Sequence, residues 1–61
     1  MRGYVLTVFD ESGHLLVDEK FQANDDREAK KIGEQKLAEL NYKNFPSRVT
    51  RSSGGLVLFH Q

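Results

Sequence analysis

The sequence predicts a small α+β domain of ββαββ order, a four-stranded sheet with one helix packed on one face. Three observations predict it. Asp10-Glu11-Ser12-Gly13 and Ser52-Ser53-Gly54-Gly55 are turn-forming runs, each set between two strand-like segments. Between these hairpins, Asp25 to Leu40 carries apolar residues at helical spacing. Sixty-one residues without a cysteine make one domain, over residues 1–61, near the size where folding alone becomes marginal. Packing must hold it, since neither a disulfide nor a cysteine-based metal site can assist.

The first strand, Tyr4 to Phe9, is rich in β-branched and aromatic residues and stops at the acidic, Gly-ended turn. The second, His14 to Gln22, alternates imperfectly: Leu15, Val17 and Phe21 share a face that Glu19 interrupts, and Leu16, Asp18, Lys20 and Gln22 share the other. Such a strand lies at a sheet edge, where its charges discourage pairing with other molecules. Asp25 is the N-cap of the helix, with Glu28 as capping-box partner. Ala29, Ile32, Gly33, Leu37 and Leu40 form its apolar stripe, with Lys36 at the margin. Gly33 costs about 1 kcal/mol relative to alanine, but on that stripe it lets the helix backbone approach the sheet. Asn41 is suited to end the helix in a left-handed conformation. Tyr42 and Phe45 are expected to fold back over one end of the core. Pro46 disfavours helix at Phe45 and marks the entry to the third strand, Ser47 to Arg51. With Val49 as its only large apolar residue, that strand reads as a second edge. The fourth, Leu56 to Phe59, is apolar on both faces.

Ranking strands by apolarity places the first and fourth at the centre, giving spatial order 2-1-4-3 with a parallel central pair. An all-antiparallel sheet with the third strand beside the first is the alternative. The core is expected to contain Ile32, Leu37 and Leu40. Strands one and four present apolar residues to both faces, whereas one helix covers only one. Tyr4, Leu6, Val8, Leu56 and Leu58 are therefore the candidate interface on the face away from the helix. This surplus points to a non-enzymatic binding module that contacts protein, self-association included.

Composition excludes much else. The chain is neutral overall, yet residues 1–29 carry three basic against seven acidic side chains and residues 30–61 six against two. The acidic start and basic end of the helix also complement its macrodipole. Met1-Arg2-Gly3-Tyr4 runs straight into a strand pattern, without the apolar core of a secretory signal. No apolar run approaches the roughly 18 residues that span a membrane. A cytoplasmic location follows as an expectation. His14 and His60 are the only histidines. Asp10, Ser12 and His14 are close in sequence, but a hairpin tip offers no water-excluding pocket, so no enzyme is expected. No metal-ligand spacing and no phosphate loop is present, so no cofactor is expected.

Nucleic-acid binding is the second reading. Tyr42, Lys43, Phe45, Arg48 and Arg51 interleave basic and aromatic side chains in a tail without acids, a composition suited to phosphate contact and base stacking. Phe21-x-Ala23-x-Asp25-x-x-Glu28-Ala29 after a hairpin also resembles the strand-to-helix passage of the DNA-binding arm domains of phage-type integrases. Those read DNA through basic strands, whereas Asp18 and Glu19 here would repel phosphate. Over its whole length, and in the run from Gly3-Tyr4-Val5-Leu6 through Gly54-Gly55-Leu56, the chain resembles the YhzD-like family of short uncharacterised bacterial proteins. That resemblance implies a bacterial cytoplasmic protein and supplies no site.

Overall fold

The computed structural model describes residues 1–60, the His60 side chain excepted. Its elements are β1 (Arg2–Phe9), β2 (Leu15–Ala23), α1 (Asp26–Leu40), β3 (Ser47–Arg51) and β4 (Leu56–His60). The ββαββ order and the α+β class are those the sequence predicts.

The order across the sheet is not the expected 2-1-4-3 but the all-antiparallel alternative with the third strand beside the first. It is β2-β1-β3-β4, with every neighbouring pair antiparallel. β3 is interior rather than an edge, and apolar β4 is an edge rather than central. The helix explains why. α1 carries the chain from β2 to β3 across β1, a step of two strand spacings, about 9.6 Å, which matches the girth of one helix. The order 2-1-4-3 would need a step of three spacings and a parallel pair, which is slightly less stable per residue.

β3 can be interior although it is poor in large apolar residues, because it lies beneath the helix backbone. Ala29, Gly33 and Leu37, four residues apart, are the buried stripe of α1. A Cβ placed on Gly33 would lie 2.8 Å from Val49 Cγ2. The glycine thus permits the close approach, and β3 answers with Ser47 and Val49, both buried. Tyr4, Leu6, Val8, Ala23, Ala29, Leu37 and Val49 form the core. Ile32 packs against it, but Leu40 is 44% exposed. Leu40 falls off the stripe in the last turn, just where the chain leaves the helix, so its place in the expected core is corrected.

Both caps follow the sequence, but the last turn of α1 carries no basic residue, so only the acidic first turn, with Asp26 and Glu28, complements the macrodipole as expected. Asp25 accepts a hydrogen bond from the Glu28 backbone N–H at 2.8 Å. The Glu28 carboxylate reaches back one residue further than a capping box requires, accepting from the Asn24 backbone N–H at 3.1 Å. Asn41 adopts φ 62° and ψ 38°. The Asn41 and Tyr42 N–H groups then satisfy the Ala38 and Leu37 carbonyls at 3.2 and 2.8 Å. Tyr42 and Phe45, with ring centroids 5.3 Å apart, pack against the core.

Candidate interaction face

Register decides which residues reach the uncovered side of the sheet. Directly paired residues share a face. Tyr4, Leu6 and Val8 pair with Phe21, Glu19 and Val17 on one side and with Arg51, Val49 and Ser47 on the other, and these rows look toward α1. Val5 pairs with Lys20 and Thr50, and Thr7 with Asp18 and Arg48; these rows look away from it. On β4, Leu56 pairs with Thr50 and Phe59 with Arg48, extending the open rows to the edge. A bulge at Val49/Thr50 provides the extra residue that lets Leu58 pair with Val49 on the helix side.

The candidate interface is corrected accordingly. Tyr4, Leu6 and Val8 are fully buried beneath the helix. Leu58 is half-buried and packs against the core. Leu56 alone of the five lies on the open face, where it is 56% exposed. Both parities of β1 are apolar, so periodicity could not choose between them. The choice rests on Tyr4, whose ring stacks on Phe21 with centroids 5.7 Å apart. Its hydroxyl meets the first turn of α1, donating to Asp26 Oδ1 at 2.9 Å.

The open face instead centres on Arg48. Its guanidinium carbon lies 5.5 Å from the Phe9 ring centroid and 5.8 Å from that of Phe59, which is 50% exposed. Each cation–π contact at such an exposed site contributes about 0.5–1 kcal/mol. Two rings hold a long, flexible side chain over the sheet, flanked by Val5, Thr7 and Leu56. Asp18 and Lys20 add charge toward the β2 edge.

The residues of the nucleic-acid reading are dispersed. Arg48 is on the open face. Arg51 turns to the helix side, where Nε donates to Asp26 Oδ1 at 3.2 Å and its terminal nitrogen to Oδ2. Arg51 and the Tyr4 hydroxyl hold the Asp26 carboxyl at a pKa of about 2, well below the usual carboxylate range. Asp26 in turn raises the Arg51 pKa. Tyr42 and Phe45 are engaged with each other. Lys43 borders a groove of about 530 Å³ between α1 and β4, floored by Leu37, Ala38 and Leu58. Nothing local in the sequence announces the Asp26–Arg51 pair, whose members stand 25 positions apart.

At the β1–β2 turn, Asp10 accepts from the Ser12 and His14 backbone N–H groups, each at 2.8 Å. These bonds, with that of His14 foremost, lower the Asp10 pKa. The arrangement closes the turn and leaves the His14 ring exposed. Among the described residues, no group of three or more His, Cys, Asp or Glu side chains could hold a metal ion. Among the same residues, no helix is long and apolar enough to cross a membrane.

Comparison with known proteins places the chain in a family. The model of the YhzD-like proteins matches residues 1–61. The chain is 43% identical over 61 residues to the "Uncharacterized protein YhzD" of Bacillus subtilis (strain 168), covering the full length of both. No solved structure matches the chain significantly.

Proposed function

The chain belongs to the YhzD-like family, and we propose that it acts as a non-enzymatic binding module of the cytoplasm, docking a protein partner on the sheet face opposite the helix. One observation carries this reading: Arg48 is set between Phe9 and Phe59 on a face that no described element covers. Arginine and aromatic side chains are the residues that most often dominate binding energy at protein interfaces. Holding the arginine between rings lowers the entropy it would lose on docking. A photo-crosslinking residue in place of Thr7 should trap discrete protein adducts in cells, whereas one in place of Lys30, on the wet side of the helix, should not. Adducts from Lys30 and none from Thr7 would overturn the reading.

Weak nucleic-acid binding is the alternative, favoured by the exposed Phe59 ring beside Arg48. With Arg51 engaged by Asp26 and Lys43 at the groove on the helix side, Arg48 is the basic residue of the tail left on the open face for phosphate. It predicts a salt slope of about −0.7 on single strands, at roughly 0.7 per contact. Loss of low-salt oligonucleotide binding in Arg48→Ala would support it, and absence of such binding would dismiss it.

A further inference from the structure

The two edges of the sheet are built differently. β2 carries Asp18, Glu19 and Lys20 in its middle, a charged run that blunts pairing with another molecule. β4 reads Leu56-Val57-Leu58-Phe59-His60, with no proline, lysine or acid. Among the described residues its one strand neighbour is β3, so backbone N–H and C=O groups along its outer side are a ready template for another strand. We infer that this edge pairs with a second copy of the chain. Two β4 strands join antiparallel about a two-fold axis, and the two sheets become one of eight strands.

The second copy is favoured over a foreign strand by what lies on either side of the edge. A strand laid along β4 directs its side chains alternately to the two faces. One row continues the open face beside Leu56 and Phe59, which are 56% and 50% exposed. The other enters the groove floored by Leu37, Ala38 and Leu58. The incoming strand must therefore be apolar on both sides. In this chain β1 and β4 have that character, and β1 is already paired along both edges. β4 is thus its own complement.

The groove rim supports the same partner. It carries Lys31 and Lys43 together with Glu34. A rim of one sign would select a partner of opposite charge, whereas a mixed rim can meet itself across a two-fold axis, lysine against glutamate. The edge adjoins the face around Arg48 and shares Leu56 and Phe59 with it, but it pairs through β4 backbone groups and not through Arg48, so Arg48→Ala should abolish partner docking and leave the dimer intact. In the pair, both Arg48 faces lie on one side of a continuous sheet.

The test uses the full chain alone. Sedimentation equilibrium from micromolar to millimolar concentration should show a dimer. A mixture of isotope-labelled and unlabelled chains should give intermolecular NOEs among residues 57–59. Phe59→Lys, which guards the edge with a charge, should weaken the dimer at least about tenfold. Thr7→Lys, on the open face two strands away, should leave it unchanged. Should Phe59→Lys lose the folded circular dichroism spectrum, Leu56→Lys takes its place. A chain that stays monomeric at millimolar concentration overturns the inference. So does a dimer whose NOEs join Val5 and Phe9 rather than β4, or one that Thr7→Lys disrupts and the edge variant does not.

Discussion

Tyr4 on β1 donates its hydroxyl hydrogen to Asp26 in the first turn of α1 at 2.9 Å, tying the central strand to the start of the helix. Arg51 of β3 shares the same carboxylate, so one acid joins three elements. The tie also sets the parity of β1, and with it which residues are left for the open face.

This cluster predicts a pH dependence. The folded pKa of Asp26 is about 2 against an ordinary 3.8. A depressed carboxylate pKa gives stability that is complete above the unfolded value and lost as pH falls through the folded one. The difference in unfolding free energy between wild type and Asp26→Asn should be constant from neutrality to about pH 4 and shrink toward about pH 2. Urea denaturation at stepped pH measures it. A difference that persists unchanged at pH 2 would contradict the assignment.

Gly33 and Val49 should be energetically coupled. Gly33→Ala gains about 1 kcal/mol of helix propensity, but its methyl meets Val49 Cγ2 at 2.8 Å, and overpacking costs about 1–3 kcal/mol. Alone, the substitution should destabilise. In a Val49→Ala background it should stabilise. A double-mutant cycle by thermal or urea unfolding reads the change of sign.

Ser47 is buried, and its hydroxyl has no hydrogen-bond partner among the described residues. A buried hydroxyl without a partner costs roughly 1–3 kcal/mol in proteins. Ser47→Ala should therefore raise the unfolding free energy, by about 1 kcal/mol. A loss of that size would mean that the hydroxyl is satisfied.

The N-cap can be tested simply. Asp25 accepts from the Glu28 N–H at 2.8 Å, and replacing such a cap by alanine costs about 1 kcal/mol. Asp25→Ala should lower the melting midpoint, while Asp25→Ser should restore most of the loss.

What the sequence made legible was local. The turns at Gly13 and Gly54-Gly55, the Asp25 cap, the left-handed Asn41 and the close approach at Gly33 each depend on residues within a few positions or on one special residue. The strand order did not, because it follows from how far one helix can carry the chain sideways, and apolar content misranked β3 and β4. β3 is interior with small residues since the helix backbone lies on it. The open face was predicted as a surface, but Tyr4, Leu6 and Val8 proved to be its buried counterpart. Arg48 was singled out for phosphate contact, yet its partners Phe9 and Phe59 come from strands far apart in sequence.

Docking of a protein partner on the Arg48 face is read by methyl NMR on Ile-, Leu- and Val-labelled chain titrated with extract of the source cells. Val5 and Leu56 report on the open face, and Ile32 and Leu40 on the helix. Shifts or broadening of Val5 and Leu56 are expected, abolished by Arg48→Ala, with Ile32 and Leu40 unmoved. Unperturbed Val5 and Leu56, or perturbation confined to Ile32 and Leu40, would contradict it.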